Sequence, residues 1–519
     1  MKKLILGLAM SLASVTQIYS QVKSSKDVSY TISDPYKVID GYKNYFSKDG
    51  EILTIKFSKG KYIFQKFKGD KLNIAKVNEI PNTVEGISEG FIKAKDQFYY
   101  FYSTWDKVNK ITELFAREVD FEGAKFAGEG QRVVKVNGKL AYTSFSITTS
   151  FDESKIMIRY RKVPEIKNDN VNKDVIGMIV LDKDLSKIWG GESKMPYTEK
   201  KMNNLDFAVN SEGAAYLLTE VYRDETTKRY TKSGEPNFDI ELLKFTSDNE
   251  CEKIKIKSQD KFIYGLSFFE GKDFELNIAG FYSNDKRAGA NGFFLAKMKN
   301  DEVVDYNFYD VPANVLKLYL SDKKQEKLEQ AEENGADLKM HSMYMRDIVY
   351  DSKGNITLYA ERYFVVSRTD PKTGSTTYTY YYQEIIGAGI SNDGELLWMT
   401  KLPKNQVGSS QRGGMGFVTI SSKGHDYLLF IDNIRNIELP LNQWPKGHRD
   451  GKGGYLTGFK INRETGETEK FSVFNLNDVN GIALYQFNTG RIIKLDDDSF
   501  AVECYKKKKE DVMVKVELK

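Results

Sequence analysis

The sequence predicts an all-β protein, a β-propeller of seven or eight four-stranded antiparallel blades, and three observations carry that expectation. A hairpin of one type recurs along the chain, and a second type precedes most of its copies. The strands of the second type alternate aromatic or aliphatic residues with polar ones, the period-2 pattern of a half-buried strand. Composition agrees, since 32 Tyr and 31 Phe stand against only 10 Pro among 519 residues.

Taken in chain order, the first segment is "MKKLILGLAMSLASVTQIYSQ". Lys2 and Lys3 precede an apolar run from Leu4 to about Val15 that is too short to span a bilayer, the order of a secretory signal peptide over residues 1–20. Cleavage is expected near Ser20-Gln21, leaving one β-propeller domain over residues 21–519 in an exported compartment: the periplasm first, the cell surface or medium as alternatives. No later segment holds about 18 uninterrupted apolar residues, so no integral membrane segment is expected after the leader.

The outer hairpin reads "GMIVLDKDLSKIWGG" at Gly177, "FFLAKMKNDEVVDYNFYD" at Phe293, "GAGISNDGELLWMTKLP" at Gly387 and "LTGFKINRETGETEKFSVFN" at Leu456. The inner one reads "LDFAVNSEGAAYLLTEVYR" at Leu205, "RDIVYDSKGNITLYAERYF" at Arg346 and "GFVTISSKGHDYLLFIDNI" at Gly416. Paired, they place units at 41–78, 87–131, 145–195, 203–257, 263–311, 345–402 and 416–475, with a three-strand unit at about 489–519. The strand missing from the last unit is expected from "VSYTI" at Val28, pairing with the C-terminal "VMVKVELK" and so leaving no open edge.

One segment breaks the pattern. "SDKKQEKLEQAEENGADLK" offers Ser321 as N-cap and Gly335 as stop around strong helix formers, with Leu328 and Ala331 nearly its only apolar residues. It reads as a short surface helix inserted near 321–335.

The leader ending in "YSQ", the Lys-, Tyr- and Phe-rich composition and hairpins such as "SNDGELLW" and "DSKGNITLYA" resemble exported β-propeller proteins of the Bacteroidetes type. The resemblance covers nearly the whole mature chain but specifies architecture only, so it implies no catalytic residues.

Function is expected on one face. In a four-stranded blade the first-to-second and third-to-fourth turns share one end, and here they are short, as at Lys353-Gly354 and Asp393-Gly394. The second-to-third connections at the other end are long and varied, as in "RKVPEIKNDNVNKD", "YRDETTKRYTKSGEPNFD", "VSRTDPKTGSTTYTYYY" and "NIRNIELPLNQWPKGHRDGKGGY". Arg161, Arg223, Arg368 and Arg435 end strands there. Their guanidinium forks beside Tyr160, Tyr222 and Tyr363 suit carboxylates, phosphates or sugars, or else solvate strand ends and pair with neighbours such as Asp224 and Asp432. The longest loop adds Trp444 and His448, and the links between blades add His341, Arg346, Gln411 and Arg412 at the mouth of the central channel.

A net charge of +4, from 77 basic and 73 acidic groups, argues against a nucleic-acid partner. Three His, no G-x-S-x-G, no C-x-x-C and no H-E-x-x-H leave no metal, cofactor or catalytic assignment. Cys251 and Cys504 read as unpaired thiols or as a disulfide. The expected function is a non-catalytic scaffold or ligand-binding propeller of the cell envelope, engaging a protein or a glycan through the long-loop face. The alternative is a glycan lyase or hydrolase built at the channel mouth, with His341, Arg346, Arg412 and Asp432 as its nearest candidates.

Overall fold

The computed structural model describes residue 26 and residues 28–519, other than 84, 143, 247–250, 272–275, 301, 410–413, 450–452, 477–478, 480–483, 487 and 507. Apart from one short parallel pair, Gln406–Gly408 with His448–Arg449, strands pair antiparallel into eight sheets, the blades of a propeller, spanning 42–81, 87–137, 146–194, 202–256, 262–310, 343–402, 418–475 and 484–518. We number them blades 1 to 8 in that order. Residues 1–20, expected from sequence to be a signal peptide, lie outside the described residues.

Closure follows the expected route. Val28–Ile32 forms the outer strand of blade 8, in register with the C-terminal strand from Val28↔Leu518 to Ile32↔Val514. The N-terminal strand thus covers the edge of the C-terminal strand and completes the last blade from both parts of the chain. The first strand of blade 8 is split into Leu484–Gln486 and Ile492–Lys494.

Each blade is apolar on both faces of its middle strands, so neighbouring blades stack face to face and bury eight clusters, one per interface. Between blades 7 and 8, for instance, Leu429, Leu456 and Val473 meet Val502, Val514 and Val28. The seam between blades 8 and 1 is different. Its apolar cluster of Tyr36, Ile52, Phe67, Leu72, Ile493, Leu495, Ala501 and Met513 is joined by the buried ions Lys43, Lys56, Glu503 and Asp511.

Blade packing also explains several strand glycines. Gly177 lies opposite Tyr160, Gly389 opposite Trp398 and Gly458 opposite Phe471 in the strand register, and each aromatic ring lies over its glycine. Trp398 further donates Nε1 to the Arg463 carbonyl at 2.7 Å, fixing the ring over Gly389. A Cβ at Gly389 would overlap that indole nitrogen. Gly389→Ala is therefore expected to lower stability by about 1–3 kcal/mol through overpacking, and an unchanged urea midpoint would contradict the packing.

The helix forms at Asp322–Glu333 with Ser321 at its N-cap and no buried residue, as its composition requires. A second, five-residue helix, Ala313–Lys317, was not foreseen; it tucks Val315 and Leu316 into the core between blades 5 and 6. The segment "VSRTDPKTGSTTYTYYY", read above as a long loop, is instead a strand ribbon. Ile356–Thr369 and Thr376–Ile390 stay paired out to Thr369↔Thr376. The turn is closed by Asp370, whose carboxylate accepts from the Lys372 and Thr373 amides at 2.7 and 3.2 Å. Among the described residues no helix is long and apolar enough to cross a membrane. Cys251 and Cys504 are free thiols, in blades 4 and 8.

Candidate functional site

The second-to-third connections are unequal around the ring, and this inequality shapes the loop face. In blades 1, 2 and 8 they are tight, at 59–60, at 107–110 and between strands ending at Lys506 and resuming at Glu510, whereas blades 3, 4, 5 and 7 carry 162–174, 223–237, 284–291 and, among the described residues, 433–449. With the blade 6 ribbon between them, blades 3 to 7 wall the larger half of the face.

Within the walled half, blades 4, 5 and 6 enclose a cavity of about 960 Å³, within the range of ligand pockets. Blade 4 supplies Lys228, Arg229 and Tyr230 from its loop, and blade 5 supplies Asp285 to Gly289. The inner wall is the first strand of blade 5, with Tyr264 and Leu266, and the start of blade 6, with Met343, Tyr344 and Met345. The lining thus sets four cations, Lys228, Arg229, Lys286 and Arg287, against one carboxylate, Asp285.

Each wall is braced by its own hydrogen bonds. Arg229 donates to Glu220 Oε2 at 2.8 Å and lies over the Phe238 ring, 4.7 Å from its centroid. Lys286 sits 4.9 Å above the Tyr230 ring, joining the blade 4 and blade 5 loops. Asp285 accepts from Arg287 Nε at 2.8 Å and from Lys339 Nζ at 2.7 Å. The Arg287 hydrogen bond, reinforced by Lys339, holds its carboxyl well below the usual range. Ala290 and Met340 exchange backbone bonds at 2.7 Å in both directions, tying the loop to the next blade.

Backbone irregularity aims the inner wall. The first strands of blades 2, 4, 5 and 6 each carry a register shift, at Ser88/Gly90, Asn204/Asp206, Tyr264/Ser267 and Met345/Asp347. A bulge turns a strand and redirects a side chain. In blade 5 it falls at Gly265, φ +60°, beside Tyr264. Burial pushes the Tyr264 hydroxyl up to about 12, so it serves as a neutral donor and acceptor near neutral pH. In blade 6 the extra residue is Arg346, which donates Nε to Glu361 Oε2 at 2.9 Å.

Below the pocket a second cavity of about 430 Å³ continues down the channel, sharing Ser267 and Met345 with the first. Arg346, Asp206 and Asp347 line it, and burial raises both aspartates above their ordinary values. Cations outnumber carboxylates at the mouth, and carboxyl groups outnumber the one cation, Arg346, in the neck.

The structure brings together two of the residues singled out by sequence. His341 packs at the pocket lip against Gly289, whose added Cβ would come within 2.9 Å of its Nδ1, and Arg346 lies in the neck just below. The others are dispersed. Arg161 is engaged by Asp174, Glu199 and the Tyr142 hydroxyl, and Arg223 by Asp239 and the Pro236 carbonyl. Arg368 lies on the blade 6 ribbon opposite Thr377, and Arg435 is exposed on the short turn Ile434–Asn436. Trp444 packs with Tyr319 at 6.5 Å, and His448 is buried between blades 6 and 7. Gln411 and Arg412 lie outside the described residues. The pocket's own Lys228, Arg229, Tyr264, Lys286 and Arg287 were not picked out from sequence. The only signal of the four cations was the density of basic and Tyr residues in "TTKRYTK" and "NDKRAG", and Tyr264 had none.

No family model matches the chain, and no curated protein matches it. Solved structures similar to it include the polysaccharide lyase Uly1, at 9% identity and TM-score 0.35, covering 84% of this chain and 91% of that one. A protein of unknown function from Bacteroides caccae matches at 10% identity and TM-score 0.27, covering 68% and 93%. The WD40 domain of SCAP from fission yeast matches at 7% identity and TM-score 0.36, covering 95% and 94%. Scores this low carry no functional inference.

Proposed function

We propose that the chain is a non-catalytic binding propeller, exported to the cell envelope, that holds an acidic glycan in the pocket between blades 4, 5 and 6. One observation carries the reading: a concave pocket of about 960 Å³ lined by four cations against one carboxylate and walled by tyrosines. Cations held on braced loops attract carboxylates or sulfates at the mouth. Tyr230, Tyr264 and Tyr344 offer flat apolar faces with hydroxyls at their rims, a surface suited to sugar rings more than to a wholly apolar ligand.

Calorimetric titration with oligogalacturonate, a uronic-acid chain, and with a neutral glucan of the same length tests the reading. The acidic chain is expected to bind with an affinity that falls as salt rises, and the neutral one to bind weakly. Lys286→Ala is expected to lower affinity for the acidic chain about tenfold, or about 1.4 kcal/mol. Equal affinity for both chains would remove the electrostatic basis. New reducing or unsaturated chain ends after prolonged incubation would replace the binding reading with the lyase or hydrolase alternative.

A further inference from the structure

We propose that the ribbon of blade 6 carries a second subsite, an aromatic track leading out of the pocket, so that the site takes an extended chain. This inference rests on the acidic-glycan reading of the pocket and adds to it the length of ligand recognised.

The ribbon stands clear of its blade. The first strand of blade 6 pairs with it only as far as Met343↔Arg362, and the fourth strand only as far as Ile385↔Leu402. Beyond those points seven residue pairs, from Tyr363↔Tyr382 to Thr369↔Thr376, continue the ribbon, with the Tyr363 amide still donating to the Ser342 carbonyl at its base. Along one side Gln406–Gly408 adds a short third strand against Tyr380 to Tyr382.

Residues opposite one another in an antiparallel pair share a face, and successive pairs alternate faces. One ribbon face therefore presents Tyr363 with Tyr382, then Val365 with Tyr380, then Ser367 with Tyr378. The other presents Phe364 stacked on Tyr381 at 4.7 Å, then Val366 with Thr379, then Arg368 with Thr377. Alternate tyrosines at 378, 380 and 382 thus form a row, each about 7 Å from the next along the strand.

The row begins at the pocket. Tyr344, which lines the cavity, meets Tyr363 edge-on at 5.4 Å, and Tyr363 meets Tyr382 at 4.7 Å. Arg346 sits between these rings, 5.5 to 5.8 Å from the centroids of Tyr344, Tyr363 and Tyr382. Rings and cation are held in place at the base, and the row then rises to Tyr378, which keeps half of its surface in solvent.

A row of tyrosines continuous with a cationic pocket matches a polymer whose repeating units each offer an apolar ring face and an acid group. A compact ligand would end in the pocket and leave the row unused. A peptide laid along the ribbon would instead use its open edge, the backbone of Phe364 to Thr369, and would not need tyrosines on the face.

The test uses the full chain with a ladder of oligogalacturonates from trimer upward, comparing Tyr378→Ala/Tyr380→Ala, the control Tyr378→Phe/Tyr380→Phe, and Lys286→Ala. Affinity of the native chain is expected to rise with oligomer length beyond what fills the pocket. The alanine pair is expected to leave trimer affinity unchanged and to lower long-chain affinity about tenfold, while the phenylalanine pair stays near native. Lys286→Ala is expected to weaken every length. Circular dichroism checks that the variants fold, as expected for the exposed Tyr378 and the half-buried Tyr380. If the alanine pair binds long chains as the native protein does while Lys286→Ala weakens them, the track is overturned and the pocket reading stands. If the native chain binds no member of the ladder, the pocket reading fails and the track fails with it. Capture of a peptide in place of sugar, lost on substituting the ribbon edge by proline, would also overturn the track.

Discussion

Glu503→Ala is expected to destabilise the protein by about 3–5 kcal/mol, the cost of leaving buried cations without their counter-ion. Glu503 is the hub of the seam between blades 8 and 1. Its carboxylate accepts from Lys56, from Lys43 at 2.9 Å, and from the Tyr36 and Tyr45 hydroxyls at 2.9 and 2.7 Å. The side chains of Lys56 and Glu503 have no solvent exposure and that of Lys43 has 8%, so removal of the acid strands positive charge that water does not reach. Lys43 also reaches Asp511 at 3.1 Å, so two lysines face two carboxyl groups across the junction of first and last blades. Urea unfolding of the variant against the native chain measures the effect, and a change under about 1 kcal/mol would place the ions in solvent instead.

The same hub sets a pH dependence. Burial works to raise the Glu503 carboxyl, but Lys56 and Lys43 outweigh it and hold it well below its usual value. A carboxyl depressed in the folded state contributes stability that is present above its unfolded value, about 4.3, and lost as pH falls below it. Asp511 is pushed the opposite way, by burial and then by Glu503. Glu503→Gln, which keeps the shape and removes the charge, is expected to flatten the acid limb of the stability curve.

His448 supplies the second large effect, in a different pH window. It is 2% exposed, its Nε2 has no hydrogen-bond partner, and its backbone amide donates to the Asn405 carbonyl at 3.0 Å. Burial, with the nearby cation of Lys404, lowers its pKa from 6.5 to about 4. The unfolded chain then binds a proton between those values that the folded chain refuses, so stability is full above pH 6.5 and declines as pH falls toward 4. The drop amounts to about 3 kcal/mol. His448→Gln is expected to lose this decline while keeping its stability at neutral pH to within about 1 kcal/mol. Native and variant curves running parallel from pH 7 to pH 4 would show that the imidazole reaches water.

Much of the fold was written locally. Short turns such as Ser391 to Glu395 close on backbone bonds of their own, with Gly394 at φ +87°, and a residue type suffices to announce them. Period-2 strands between such turns gave the blades, and an N-terminal strand with nowhere else to pair gave the closure. The ribbon of blade 6 was misread for the same local reason. Pro371 and Gly374 signalled a loop, but the alternation of tyrosines at 378, 380 and 382 was strand pattern up to the turn.

The candidate site was much less legible. Arg161 and Arg223 were conspicuous at strand ends, yet each is neutralised by a carboxylate from its own blade, Asp174 and Asp239, within the reach of one loop. Lys286 and Lys228 were inconspicuous, and they matter because blade 5 sets its loop against that of blade 4, whereas Arg229 is engaged by Glu220 of its own blade much as Arg223 is by Asp239.

Sequence by itself determined the blade unit, the order of its copies and the strand that seals the ring, leaving their number at seven or eight, because turn residues and alternation act over a few neighbours. Tertiary structure alone decided where charge collects: which arginines are spent within their own blade, which cations remain at the mouth, and which histidine is shut from water. The arginines are spent across a single loop, but the pocket and the seam depend on distances between segments about a hundred residues apart or at opposite ends of the chain, as between Arg229 and Tyr344 or between Lys43 and Glu503, and electrostatic energy follows distance and burial rather than order along the chain.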